Sequence, residues 1–165
     1  RIVENLVLNV RVRTGFMGHY NSHIGPSPFE RFYLGGDGLA TWQLDGREVV
    51  GMRGYEEFSL TPKANADFIG GTIFNKFTAE LRYPISLNPS ATIYLLTFVE
   101  AGKAWLDPRE YSPFALYKSA GVGVRIFLPM FGLLGFDWGY GFDAIPGTPN
   151  AGKGHFHISI GQSID

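Results

Sequence analysis

The stretch Leu133-Leu134-Gly135-Phe136-Asp137-Trp138-Gly139-Tyr140-Gly141-Phe142 alternates between large apolar residues and glycine or aspartate. From Leu134 onward its even-numbered residues are the large apolar ones. They share one face of an extended chain, because successive side chains of a β-strand point to opposite sides. The other face carries small residues and one carboxylate. A period of two over this length predicts a strand rather than a helix.

The same period recurs along most of the chain. In the last segment Phe156, Ile158 and Ile160 alternate with His155, His157 and Ser159, and similar patterns occur upstream. We predict strands at 2–16, 29–36, 69–85, 91–105, 118–129, 133–143 and 155–164. Helical spacing is not convincing anywhere, so the sequence predicts an all-β fold.

Composition bounds the kind of protein. The chain has 165 residues, enough for one domain with a core, and its 18% of charged residues lies below the usual ~25%. It has no cysteine, which excludes disulfides, a thiol nucleophile and cysteine-based metal sites. The formal net charge is −1, without the basic excess that nucleic-acid binding requires. We therefore expect no nucleic-acid partner.

Two classes of all-β protein alternate in this way. A soluble sandwich buries its apolar face and exposes polar residues, whereas a membrane barrel turns its apolar face to lipid. Three features favour the membrane barrel: polar faces rich in glycine and serine, aromatic residues such as Tyr83 and Trp105 near strand ends, and several strands of about ten residues or more. The soluble sandwich is the alternative on pattern alone.

The connections between the predicted strands give a second clue. The short turns at 86–90 and 130–132 alternate with long connections at 37–68, 106–117 and 144–154, as in outer-membrane barrels. The first connection, 17–28, should be short and is longer than this order predicts. The predicted strands number seven, whereas single-chain bacterial barrels have an even number. No export signal precedes the first strand. We therefore expect the C-terminal part of a larger barrel.

Four motifs carry a family resemblance. They are Glu30-Arg31-Phe32-Tyr33-Leu34-Gly35-Gly36, Gly51-Met52-Arg53-Gly54-Tyr55, Phe77-Thr78-Ala79-Glu80-Leu81-Arg82-Tyr83-Pro84 and Phe98-Val99-Glu100-Ala101-Gly102-Lys103-Ala104-Trp105. Their order and spacing resemble the C-terminal half of the BamA-type outer-membrane assembly factors. The resemblance covers essentially the whole chain, 1–165. It implies an antiparallel transmembrane β-barrel, of which this chain would be the last seven of sixteen strands.

The resemblance also implies a site inside the barrel. The long loop 37–68 would fold back into the lumen, with Arg53, Gly54 and Tyr55 at its tip and Glu80 and Glu100 as the acidic partners of Arg53. The residues alone support this arrangement, because two neighbouring carboxylates repel each other and a guanidinium can bind both. The alternative is that Arg82 or Arg125 pairs with these acids and Arg53 lies on a solvated loop.

The C-terminal strand resembles the family's seam strand, which pairs weakly with the first strand of the barrel. Its candidate residues are Phe156, Ile158, Ile160, Gly161 and Ile164. Ile164 and Asp165 stand where outer-membrane proteins usually have a terminal aromatic residue. Such a seam would open laterally, and its strand edge would template an incoming strand.

Other polar residues have structural interpretations. His155 and His157 have a spacing that can hold a metal, but no third ligand is evident, so we expect no metal site. Asp137, among glycines, is a candidate partner for Arg125 on the neighbouring strand. Glycines 102, 121, 123, 135, 139 and 141 lie on lumen faces and would leave space for the loop. No motif indicates an enzyme.

By resemblance, the expected function is folding and insertion of β-barrel proteins into the bacterial outer membrane, without a cofactor. The expected partners are outer-membrane lipids or lipopolysaccharide, unfolded outer-membrane proteins and accessory assembly lipoproteins. The alternatives are a two-partner secretion transporter, a TamA-like assembly barrel, and a passive porin or adhesin barrel.

Overall fold

A computed structural model describes residues 5–19, 25, 27, 29–38, 46–65, 67–130, 132–146 and 153–161. The strands are β1 (Val7–Phe16), β2 (Phe32–Leu34), β3 (Glu48–Val50), β4 (Lys63–Ala64), β5 (Asp67–Phe68), β6 (Ile73–Asn88), β7 (Ala91–Trp105), β8 (Tyr117–Leu128), β9 (Gly132–Gly141) and β10 (Gly154–Gly161). A 3-10 turn at Pro108–Glu110 follows β7. No helix in the described part of the chain is long and apolar enough to cross a membrane.

The main sheet has six strands in the order β1-β6-β7-β8-β9-β10. Every neighbouring pair is antiparallel, and the longest ladder joins β6 to β7 from Ile73 opposite Trp105 to Asn88 opposite Ala91. Its register shifts once, between Pro84 and Ser86. The predicted all-β, antiparallel fold is confirmed.

One predicted strand does not belong to this sheet. Within 29–36 only β2 is extended, and it pairs in parallel with β3 in a separate two-stranded sheet. All three residues of β2 are buried, so its apolar pattern reflects packing on both sides rather than one face turned to lipid. The prediction of a wall strand at 29–36 was therefore wrong, and within the described residues the sheet has six strands.

This correction changes the loop boundaries. Because β1 pairs directly with β6, residues 17–72 form one long connection rather than a turn, a strand and the loop 37–68. Long and short connections then alternate from the first one onward. The unexpectedly long 17–28 segment is the beginning of this connection, so the irregularity in the predicted order disappears.

The two faces of the sheet differ in a way that favours lipid over water outside. The outer face exposes large apolar side chains, among them Val10, Val99, Val122, Trp138 and Phe156. The inner face buries polar and charged ones: Lys76, Glu80, Glu100, Arg125, Asp137 and His157. A soluble sandwich would have the opposite distribution, whereas a membrane barrel has this one.

The apolar core lies between the long connection and the inner face of the sheet. It consists of Phe32, Leu34, Val50, Met52, Tyr55, Leu60, Phe74 and Ala104. Only the last two belong to the main sheet. The Thr61 hydroxyl accepts a hydrogen bond from the Leu34 amide at 2.9 Å, which ties β2 to the segment just before β4. The long connection therefore has a packed structure of its own.

Candidate functional site

The segment 51–55, called here the loop tip, lies against the inner face of the sheet. The Met52 amide donates to the Gly36 carbonyl at 2.9 Å, which holds the tip to the segment after β2. Arg53 is 1% exposed and Tyr55 is 2% exposed. Such burial contradicts the alternative in which Arg53 belongs to a solvated loop.

Glu100 on β7 holds the main chain and the side chain of Arg53. The Arg53 amide donates to Oε2 of Glu100 at 2.9 Å, and Nη2 of Arg53 donates to Oε1 at 2.8 Å. A third, longer bond of 3.3 Å joins Arg53 Nε to Oε1. A single carboxylate therefore fixes both the position of the tip and the direction of its guanidinium.

Glu80 on β6 is the second acid at Arg53, and its Oε1 accepts from Nη2 at 2.7 Å. Thr78, two residues before Glu80, is opposite Glu100 in the β6–β7 register, so the two acids are diagonal neighbours across the ladder. Arg82 also donates to Glu80, through Nε at 2.9 Å. Arg53 and Arg82 therefore both bind Glu80, although the sequence analysis treated these two pairings as alternatives.

Lys76 is a buried cation at this site that sequence reasoning did not single out. Its ammonium lies 3.2 Å from Oε1 of Glu100 and donates to the carbonyl of Gly51 in the loop tip. Lys76, Thr78 and Glu80 follow one another at intervals of two on β6, so they share the inner face. That spacing was the available signal for Lys76.

Asp137 and Arg125 extend the charged cluster onto β9 and β8. Arg125 binds Asp137 through two hydrogen bonds of 2.8 and 2.7 Å, which confirms the pairing expected from the sequence. Nη1 of Arg53 lies 3.6 Å from Asp137, and the Arg53 guanidinium lies 3.7 Å from the centre of the Phe98 ring.

Burial by itself lowers the pKa of Arg53, but the charges of Glu100 and Glu80 outweigh it and raise that pKa above its ordinary value.

Glycines let the loop tip approach the sheet closely. Gly54 has φ +87°, a conformation that favours glycine. A Cβ atom on Gly139 would lie 2.7 Å from the Gly54 nitrogen, and one on Gly141 would lie 2.7 Å from the Gly54 oxygen. Both distances are too short for a real side chain. The tip therefore contacts the inner face at two positions that carry no side chain.

The other predicted lumen glycines divide into two groups. Gly102 makes room for the loop, since a Cβ there would lie 3.1 Å from Met52 Sδ. Gly121, Gly123 and Gly135 instead make room for side chains of the sheet itself: Phe98, Asp137, Ser159 and Arg125. The expectation that these glycines accommodate the loop is therefore confirmed for Gly102, Gly139 and Gly141, whereas the nearest neighbours of the other three belong to the sheet.

Tyr55 connects the loop tip to the start of β8 and to the segment just after β9. Its hydroxyl donates to the Lys118 carbonyl on β8 at 2.7 Å and accepts from the Asp143 amide after β9 at 3.3 Å. Burial raises the pKa of Tyr55 to about 12. The phenol therefore stays protonated at physiological pH and keeps its donor.

His157 on β10 also contacts the tip. The Gly54 amide donates to Nε2 of His157 at 3.0 Å. The sequence had suggested this residue only as half of a metal-binding pair with His155, and the described residues contain no group of three potential ligands. Its inner-face position on β10 was the only sequence signal for the observed role.

The terminal strand presents Phe156, Ile158 and Ile160 outward, where all three are exposed. Gly161 ends the described strand with φ +106°. Ile164, the remaining seam candidate, lies outside the described residues. Within the described part of the chain, β10 pairs with β9 and forms one edge of the sheet.

An antiparallel sheet with an apolar outer face, a charged inner face and a long loop bound inside is characteristic of a membrane β-barrel. A model of the Omp85 superfamily domain matches residues 2–164, and the chain belongs to that superfamily. Its members are outer-membrane proteins of bacteria or organelles that insert or secrete other proteins. A search among curated proteins found no match.

Proposed function

We propose that the chain is the C-terminal part of a barrel that folds and inserts β-barrel proteins into the bacterial outer membrane. The observation that carries this proposal is the binding of the loop tip by the sheet, with Arg53 bridging Glu80 and Glu100 and the Gly54 amide bonded to His157. The tip thereby joins the middle of the sheet to its terminal strand. It is a structural lock and involves no covalent chemistry.

The second element of the proposal is the edge of β10. A strand at a sheet edge offers unpaired backbone groups, to which an incoming strand can add by β-augmentation. Gly161 has no side chain to pack, which would weaken pairing along this edge. We propose that β10 forms one side of a lateral seam, that the bilayer is thinner beside it, and that a client strand pairs there before release into the membrane.

The proposed partners follow from the two faces of the molecule. The exposed apolar residues of the outer face would contact outer-membrane lipids or lipopolysaccharide. Unfolded outer-membrane proteins would be the clients at the seam, and accessory assembly lipoproteins would bind parts of the protein on the periplasmic side. Neither the charge of −1 nor any basic patch in the sequence supports a nucleic-acid partner.

The test is Arg53→Ala in the complete protein in its native membrane. We expect the variant to reach the membrane but to assemble client barrels several-fold more slowly, because the two buried carboxylates lose their shared cation. Arg109→Ala, at the exposed 3-10 turn, is the matched control and should assemble clients normally. Normal client assembly by Arg53→Ala would remove the role assigned to the loop tip.

Measurements of protein export and of conductance, added to client assembly, separate the alternative functions. A two-partner secretion transporter would lose export of a soluble partner while barrel assembly stayed normal, and a TamA-like barrel would affect a narrower set of clients. A passive porin would show a large open conductance, which the packed loop on the inner face argues against.

A further inference from the structure

Within the described part of the chain, His157 is the residue of β10 that forms a hydrogen bond with the loop tip. Its Nε2 accepts from the amide of Gly54, and the two residues are 103 positions apart in the chain. The side chain is buried on the inner face, and its neighbour across the β9–β10 ladder is Asp137. Asp137 in turn is bonded to Arg125 and lies 3.6 Å from Arg53. His157 therefore brings β10 into contact with the charged cluster around Arg53.

The direction of this hydrogen bond restricts the imidazole. A backbone N–H can only donate, so Nε2 must carry no proton and the neutral ring must carry its proton on Nδ1. The Gly54 amide is buried between β8, β9 and β10, where losing its acceptor would leave an unsatisfied donor. Gly54 and His157 therefore hold each other in place.

This bond matters because β10 lies at the edge of the described sheet. Its backbone ladder runs to β9 alone, from Gly154 opposite Tyr140 to Gly161 opposite Leu133. An edge strand is held by one ladder instead of two, so the bond between His157 and the loop adds a constraint that the ladder to β9 does not supply. The loop tip, in contrast, is also held by β6, β7 and β8.

We propose that His157 is a positioning residue that couples the loop tip to the terminal strand, so that loosening the tip loosens β10 as well. The coupling itself stands on the geometry, whereas its use in opening the seam for a client rests on the proposed function. Coupling between two sites is reciprocal, so a change at β10 must also loosen the tip.

The test is hydrogen–deuterium exchange of the complete protein in lipid nanodiscs, followed in peptides covering 51–55 and 154–161. In His157→Leu, which fills similar space without an acceptor, we expect exchange in both segments to accelerate roughly tenfold, the order expected for one lost buried hydrogen bond. His157→Gln, whose carbonyl can accept from Gly54, should restore most of the protection. His155→Leu, on the same strand, is the matched control and should leave both segments unchanged.

A second variant makes the test reciprocal. Arg53→Ala removes the ion pairs of the tip without touching β10, and we expect it to accelerate exchange in 154–161. Unchanged exchange in 154–161 in Arg53→Ala would overturn the coupling, and so would unchanged exchange in 51–55 in His157→Leu or an equal effect of His155→Leu. Coupled exchange with normal client assembly in both variants would keep the coupling and overturn the proposed function instead.

Discussion

At the scale of single residues, the cluster around Arg53 specifies a position more than it adds stability. Burying an ion pair costs desolvation free energy that its attraction only partly offsets, so such pairs contribute little net stability. Breaking one is costly, because it leaves a charge buried without a partner. Glu100 binds the amide and guanidinium of Arg53 and also Lys76, so a shifted loop would leave several groups unsatisfied at once. The network thus selects one loop position.

Gly54→Ala tests the close contact between the tip and the sheet. A Cβ at Gly54 would lie 2.9 Å from the Ser119 Cβ and 3.0 Å from the Tyr140 carbonyl carbon, so the tip must move. We expect a loss of about 1–3 kcal/mol in the local stability of the tip. Faster hydrogen exchange in a peptide covering 51–55 would measure it.

Gly132→Ala is the matched control for this prediction. Gly132 also has a positive φ, +81°, but a Cβ there meets nothing within 4 Å. The control therefore carries the backbone strain without the steric contact and should leave the exchange of 51–55 unchanged. Equal exchange of that peptide in the two variants would contradict the close packing described here.

At the scale of elements, the sequence predicted the long strands well and the loop strands poorly. In β6–β10 the period-two alternation distinguishes the lipid-facing side of the sheet from its inner side. Alternation is a local property of each strand, so the sequence is enough to recognise it. In β2 the apolar residues Phe32 and Leu34 have the same spacing, but the strand is buried on both sides by the loop core. Alternation cannot distinguish these two cases, because the difference lies in what packs against the second face.

Val122→Lys tests the outer face of the sheet. Val122 lies in the middle of β8, opposite Thr97 and Trp138, and is 53% exposed. If this face contacts hydrocarbon, lysine should destabilise the folded protein by about 2–4 kcal/mol near the bilayer midplane. Urea titration of folding into lipid vesicles would measure the change. Val122→Ala is the control, and equal stability of the two variants would mean that this face is in water.

At the scale of the whole molecule, the described sheet has two edges, at β1 and β10. Hydrocarbon cannot satisfy the backbone N–H and C=O groups of such edges, so a sheet in a membrane must close. We propose that further strands of the same protein complete the barrel. In that arrangement β1 would pair with another strand of the same protein, and β10 would form one side of the seam.

The intact mass of the protein extracted from its native membrane tests this arrangement. The sequence here accounts for 18.3 kDa. We expect a mass several times larger, with periplasmic repeats preceding the barrel. Mass spectrometry of the detergent-extracted protein would measure it directly. A mature product of about 18.3 kDa would contradict the proposal that this chain is the C-terminal part of a larger barrel.

The sequence by itself determined the six strands of the main sheet and the assignment of their faces. Alternation is a local property of each strand, whereas the loop tip and the two acids at Arg53 were expected from the family resemblance of four motifs. Only the tertiary structure decided that β2 belongs to the loop, that Lys76 shares Glu100 with Arg53, and that His157 accepts from Gly54. These three results depend on which distant segments meet inside the sheet, and no local pattern encodes a contact across 103 residues.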